Sequence, residues 1–287
     1  MKPDIKAFFD EDTYTVTYVV TDPSSKSCAI IDPVLDFDQA SGRTSTGSAD
    51  QVLAFINSED LKVLWILETH AHADHLSAAA YLKSKTGGRT GTGRFITGVQ
   101  STFKQLFNLG DEFEADGQQF DCLLDEGELL ELGSMEIRVM HTPCHTPSCV
   151  TFVVGNAVFV GDTLFMPDYG TARADFPGGD ASALYQSIQR IFELPAETRL
   201  FLCHDYKAPD RDEYVWETTV AEQSANNVHI HKGISQQEFV EFRKKRDAGL
   251  GMPKLILPSI QVNIRAGEMP PADDNGVVYF RLPVDAL

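Results

Sequence analysis

The stretch Thr69-His70-Ala71-His72-Ala73-Asp74-His75 limits the fold more than any other part of the chain. It carries three histidines and a carboxylate within six residues. Leu61–Leu67 before it is an apolar run of strand length, and Leu76–Lys85 after it, rich in Ala and Leu, predicts a helix. The stretch is therefore expected to be a turn at the C-terminal end of a buried strand, where open α/β sheets place their sites. A helix would turn residues two apart to opposite faces, whereas a tight turn can aim His70, His72 and Asp74 into one space.

The rest of the chain repeats this pattern. Tyr14–Val20 and Ser27–Ile31 predict a hairpin across Asp22-Pro23-Ser24-Ser25-Lys26. Ser48-Ala49-Asp50-Gln51 has capping-box spacing ahead of Val52, Leu53, Phe55 and Ile56, which predicts a helix. Thr86–Gly98 predicts a loop with a short strand, and Phe103–Phe107 a short helix. Glu128–Leu132 with Met135–Met140, and Val150–Val154 with Ala157–Val160, predict two more hairpins, the second turning on Gly155-Asn156. After a long loop from Asp162 to Gly179, Asp180 is placed to cap a helix through Phe192, and Arg199–Leu202 predicts a strand. Tyr214–Asn226 and the segment behind the Ser235-Gln236-Gln237-Glu238 box predict helices, and Leu255–Val262 is apolar enough to pack. Both halves run strands, helix, strand, so two similar sheets are expected face to face with helices outside.

Three further strand ends carry metal-type residues: His141-Thr142-Pro143-Cys144-His145, Gly161-Asp162-Thr163 and Cys203-His204-Asp205-Tyr206. Strand ends hold side chains rigidly at the lip of a cleft. Four such ends in one chain point to a shared metal centre.

The order T-H-x-H-x-D-H, a distant H, G-D and a further H resembles the metallo-β-lactamase superfamily over about the first 210 residues. That resemblance implies an αββα sandwich of two mixed sheets. It also implies one domain over residues 1–287, with 208–287 a helical and extended C-terminal segment packed on it. Within the superfamily, H-T-P-C-H-T-P, G-D-T-L-F followed by A-R-A-D-F, and C-H-D-Y resemble the persulfide dioxygenases. The resemblance implies one Fe(II) per chain on His70, His145 and Asp162, oxidising glutathione persulfide with O2 to sulfite and glutathione. His72, Asp74, His75 and His204 would then be a second site or neighbours of the first. Arg173, Tyr206 and, through Asn263-Ile264-Arg265, Arg265 fall where that family contacts glutathione. An ion pair to Asp175 competes for Arg173, and a packed core position for Tyr206. The loop Phe165–Ala172 and the region Ala208–Gly233 depart from the family pattern.

The chemistry fits the donor set. Two histidines and a carboxylate on one face of iron leave positions for a persulfide sulfur and for O2. Each imidazole then needs a partner for its second nitrogen, and Asp175 and Asp205 are the sequence candidates. The same side chains also spell a dinuclear zinc hydrolase of the glyoxalase II type. His70, His72, His145 and a shared Asp162 would hold one metal, and Asp74, His75 and His204 the other. A non-catalytic sulfur-sensing protein is a third reading. His141 is expected to be structural, His229 and His231 to be surface residues, and Cys144 and Cys149 to be buried thiols.

Composition removes several classes. The formal net charge is −18, from 24 basic and 42 acidic residues, which excludes nucleic acid and anionic membranes as natural partners. No apolar run reaches the roughly 18 residues of a membrane span. The acidic MKPDIKAFFDEDTYTV start has no signal-peptide core, so a cytoplasmic location is expected. Five scattered cysteines without a C-x-x-C pair fit a reducing compartment. A homodimer is expected, with Leu255–Val262 packed on the core or across the dimer.

Overall fold

The computed structural model describes residues 2–286. The first half runs β1 (Asp4–Asp10), β2 (Thr15–Thr21), β3 (Ser27–Ile31), β4 (Val34–Asp38), β5 (Arg43–Ser45), α1 (Gly47–Ser58), β6 (Lys62–Glu68), β7 (Leu76–Ser77), α2 (Ala79–Thr86), β8 (Arg89–Gly93) and α3 (Ile96–Leu106). The second runs β9 (Cys122–Leu124), β10 (Leu129–Leu132), β11 (Met135–His141), β12 (Val150–Val154), β13 (Ala157–Phe159), a 3-10 turn at Gly161–Thr163, α4 (Ala181–Phe192), β14 (Arg199–Phe201), β15 (Glu217–Thr219), α5 (Val220–Asn226), α6 (Gln236–Asp247) and α7 (Ile256–Asn263).

Alternation along the strands sets the layers. One six-stranded sheet has the order β1-β2-β3-β6-β8-β9, the other runs β10 to β15 in chain order, and a small sheet pairs β5-β4-β7. Both large sheets are mixed, with β3, β6, β8 and β9 parallel in the first and β13 parallel to β14 in the second. Tyr18, Val20, Ile31 and Leu67 of the first sheet meet Ile137, Val139, Phe152 and Phe159 of the second in one core. One residue out of phase, Val19, Ile30 and Ile66 face the other way onto Val52 and Ile56 of α1 and Leu82 of α2. On the far side Val158, Val160, Leu200 and Leu202 pack under Leu184, Ile188 and Ile191 of α4 and Phe239 of α6. The result is the expected αββα sandwich. A fully buried aliphatic side chain contributes about 1.5–3 kcal/mol. An exposed pair such as Arg94–Asp125 is screened by water and adds little, so two-sided burial holds the layers together.

The expected hairpins form at β2–β3, β10–β11 and β12–β13. Other segments differ. β1 is a half-buried edge strand paired with β2, and its irregular Lys6-Ala7-Phe8-Phe9 carries no clean alternation. The helix expected at Phe103–Phe107 is the end of the longer α3, where Ile96, Val99 and Phe103 bury one stripe despite Gly98 and Thr102. Leu76 and Ser77 pair with β4, so the helix after the histidine turn starts only at Ala79. In Tyr214–Asn226 the first part is extended, with Glu217–Thr219 paired to β14. The Ser48 box does not form. Thr46 is the N-cap, and the Ser48 hydroxyl donates to Asp36 Oδ1 of β4 at 2.5 Å. The Ser235 box and the Asp180 cap both form. Leu255–Val262 becomes most of α7, which packs within the chain against α3 and the α1–α2 layer.

Candidate metal centre

β6 leaves the first sheet at Glu68, and the Thr69–His75 turn begins where Thr69 O accepts from Val150 N of the second sheet at 2.9 Å. The turn therefore sits at the seam between the sheets. His145 arrives from the β11–β12 loop, Asp162 from the 3-10 turn after β13, and His204 from the end of β14. Gly161 explains the Gly-Asp pair. Its φ is +54°, and a Cβ there would lie 2.7 Å from Thr69 Oγ1, so only glycine lets Asp162 come this close to the turn.

The seven side chains converge. Asp162 Oδ2 lies 3.8 Å from His70 Nε2 and 4.0 Å from His145 Nε2. Asp162 Oδ1 lies 3.2 Å from His204 Nε2, which is 3.3 Å from Asp74 Oδ2. The His70 and His72 rings are 3.9 Å apart, and those of His72 and His75 4.2 Å. All five histidines are buried. His70 Nε2, His72 Nδ1, His75 Nε2, His204 Nε2 and Asp162 Oδ1 are buried without a hydrogen-bond partner. Orphaned buried donor atoms are costly. Five of them at one seam, where His72, Asp74 and His75 bring ligand atoms within 4.8 Å of one another, fit metal binding.

The opposite ring atoms are held in place. Asp32, just past β3 at φ +51°, accepts from Thr69 N at 2.7 Å and from Thr69 Oγ1 at 2.9 Å. Thr69 Oγ1 in turn lies 2.9 Å from His70 Nδ1. His72 Nε2 lies between Asp32 Oδ1 at 3.0 Å and Glu68 Oε2 at 3.1 Å. His145 Nδ1 faces two thiols, Cys144 Sγ at 3.2 Å and Cys149 Sγ at 3.5 Å. His204 Nδ1 faces Tyr14 O at 3.2 Å. Each contact leaves the other ring nitrogen free to face the centre, as a ligand histidine requires.

Electrostatics follow from this crowding. Burial, with four other imidazoles nearby, pushes His70 well below the ordinary histidine range, so it stays neutral. Burial would also lower His72, but Asp32 and Glu68 outweigh it and raise it well above that range. Burial opposes the charge on His204 too, yet Asp74 and Asp162 raise it to about 9. Burial would raise Asp162, but His204 and His145 hold it low. The centre is thus a compensated cluster of carboxylates and imidazoles, ready to exchange protons for a metal.

Several sequence assignments change. Asp175 does not support an imidazole. It takes Arg173 Nε at 2.5 Å and Nη2 at 2.8 Å. Asp205 binds Arg211, Lys207 N and Val215 N instead of a histidine. Asp32 and Glu68 take the role expected of them. Asp32 ends a strand before Pro33, the same signal that marked Asp162, whereas Glu68 had none. Arg265 is buried over the Phe113 ring and donates to Gln261 O at 2.7 Å, away from the cavity. Its neighbour Asn263 does the work in that motif. Asn263 Nδ2 donates to His72 O and His75 O, and its Oδ1 accepts from Ser77 N, each at 2.8 Å. Tyr206 lines the cavity and stacks on His204 at 5.6 Å. Arg173 also lines the cavity. His141 is structural, with Nε2 2.8 Å from Pro147 O. His229 is half-buried rather than a free surface residue, and its Nδ1 accepts from Thr171 N at 3.0 Å. All five cysteines are free.

Asp74, His145 and Asp162 form the floor of a cavity of about 1280 Å³ walled by Tyr14, Phe165, Phe176 and Tyr206. Among the described residues no helix is long and apolar enough to cross a membrane.

A sandwich with this seam site defines a class, and the family model of the metallo-β-lactamase superfamily matches residues 10–204. The chain belongs to that superfamily. It is 53% identical to a probable metallo-hydrolase of Burkholderia pseudomallei over 99% of both chains, and 47% identical to glyoxylase B2 of Dictyostelium discoideum over 100% of this chain and 98% of that one. It spans 65% of the length of a beta-lactamase hydrolase-like protein of Agrobacterium fabrum, at 53% identity over 99% of this chain. The crystal structure of ETHE1 from Myxococcus xanthus superposes with a TM-score of 0.73 at 28% identity, covering 92% of this chain and 100% of that one. Persulfide dioxygenase ETHE1 of Bos taurus is likewise 28% identical, over 93% of this chain and 91% of that one.

Proposed function

We propose that the protein is a non-haem iron persulfide dioxygenase that converts glutathione persulfide, O2 and water into glutathione, sulfite and two protons. The observation that carries this reading is that His70 Nε2 and His145 Nε2 both lie within 4.0 Å of Asp162 Oδ2, with His145 and Asp162 on the cavity floor, in a chain that superposes on ETHE1. His70, His145 and Asp162 would hold the iron, which when bound supplies the activation of O2 that no side chain can provide. The chain's own residues do the rest. Burial keeps His70 neutral. Phe165, Phe176 and Tyr206 wall the floor with aromatic surface and limit water there. Arg173 gives two N–H groups to Asp175 and one to Gly251 O, which leaves two of a guanidinium's five for a carboxylate. With Arg246 and Lys254 on the same cavity it would receive the anionic ends of glutathione. A persulfide is ionised near neutral pH, so no protein base is needed to activate it.

A dinuclear zinc hydrolase of the glyoxalase II type is the second reading. It is favoured by the orphaned His72 Nδ1, His75 Nε2 and His204 Nε2, and by the names metallo-hydrolase and glyoxylase of the relatives at 53% and 47% identity. Protein purified without O2 and loaded with iron is expected to consume O2 in a manner dependent on glutathione persulfide. His70→Ala and Asp162→Ala should reduce uptake to background. Two zinc ions per chain as isolated, thioester hydrolysis and no O2 uptake would replace the first reading with the second.

A further inference from the structure

The imidazoles of His75 and His204 share one support. Thr15 opens β2 and is fully buried. Its Oγ1 lies 3.3 Å from His75 Nδ1, 3.3 Å from His204 Nδ1 and 3.4 Å from Asp74 Oδ2. A hydroxyl has two lone pairs and one proton. The nearest neighbour of this hydroxyl is Thr13 Oγ1 at 2.9 Å, which itself donates to Asp10, so the Thr15 proton goes to Thr13 and its two lone pairs match the two imidazole N–H groups. A neutral imidazole that donates from Nδ1 carries its lone pair on Nε2. His75 Nε2 and His204 Nε2 are the buried atoms left without partners.

The backbone holds Thr15 to this task. Val16 N donates to Cys203 O at 2.7 Å and Asp205 N to Tyr14 O at 3.2 Å, so the start of β2 is zipped across His204. Tyr14 is held at φ +58°, an unfavoured conformation for an aromatic residue, and its carbonyl is thereby turned to His204 Nδ1. Thr13 Oγ1 donates to Asp10 Oδ2 at 2.5 Å and accepts from Thr15 Oγ1 at 2.9 Å, which leaves the lone pairs of Thr15 to the imidazoles. No such dependence reaches the other histidines. His70 rests on Thr69, His72 on Asp32 and Glu68, and His145 on Cys144 and Cys149.

We propose that Thr15 is the positioning residue of His75 and His204. One hydroxyl accepts from both rings and so fixes both tautomers, and with Asp74 beside them the two rings offer their donor atoms to a divalent cation separately from the His70–His145 side. This goes beyond the iron reading, which does not require that position to be filled.

The test is zinc titration of metal-free protein against a chromophoric chelator, read as stoichiometry and two stepwise affinities. Wild type is expected to take two equivalents. Thr15→Val should leave the first step unchanged and weaken the second by about 10- to 100-fold, as loss of a ligand's hydrogen-bond partner does. Thr15→Ser, which keeps the hydroxyl, should restore it. Nitrogen-15 spectra of metal-free wild type should show neutral His75 as its Nδ1–H tautomer, a readout that needs no variant. The proposal is overturned by a single equivalent in wild type, by both steps weakening alike in Thr15→Val, by no rescue with serine, or by an Nε2–H tautomer at His75. A single equivalent together with substrate-dependent O2 uptake would leave the iron reading standing.

Discussion

A histidine's charge is set by what surrounds it, and His229 shows this away from the metal centre. Burial, then Arg243 and Arg246 beside it, push it down to about 3. It therefore accepts from Thr171 N in its neutral form. The folded value lies below the unfolded one of about 6.5, so this contribution is complete above about pH 6.5 and is lost as the pH falls towards 3. Urea unfolding of wild type and His229→Gln should therefore diverge most near neutral pH and converge on acidification. A difference independent of pH would contradict this. At this scale the sequence speaks unevenly. His70, His145, Asp162 and His204 were legible because each interrupts an apolar strand at its end. Thr15 was not, because a threonine at the head of a β-branched run reads as ordinary strand composition. Arg173 could be placed at the cavity, but its bidentate partner two residues on became plain only in three dimensions.

Among the elements, α7 has the largest effect for its length. Asn263 satisfies two turn carbonyls and one turn N–H from a helix of eight residues. Gly267, just beyond, has φ +86°, and a Cβ there would meet Ala80 N at 2.9 Å and Ser77 O at 3.0 Å, so the chain can pass the turn this closely only as glycine. Asn263→Ala leaves three buried backbone groups unpaired at about 1–3 kcal/mol each, so a loss of about 3 kcal/mol or more is expected in urea unfolding, with weaker zinc binding beside it. A cost below about 1 kcal/mol would mean that water replaces the amide. Strands and hairpins were legible because two-sided burial imposes an apolar pattern. The edge strand β1 was not, since one face of it is only partly covered. The two capping boxes differ for a related reason. Ser235 caps an exposed helix start, whereas Ser48 is captured by Asp36 across the small sheet, a tertiary partner that no local spacing encodes.

For the whole molecule, the seam site makes metal part of the stability. Orphaned buried atoms from three separate loops stay together only at a cost when no cation binds them. Free metal at 100 times its dissociation constant adds about 2.7 kcal/mol. Exhaustive chelation should therefore lower the thermal midpoint by about 5–10 °C, and re-addition of metal should restore it. A midpoint indifferent to chelator would mean that the site is not coupled to folding. The order of synthesis adds a further consequence. The histidine turn is made early, but the amide that pins it comes about 190 residues later, at Asn263. A nascent chain therefore carries its histidines long before it can lock them in register. Metal selection accordingly waits for α7, and is made against the ion pool that meets a chain already folded through Asn263.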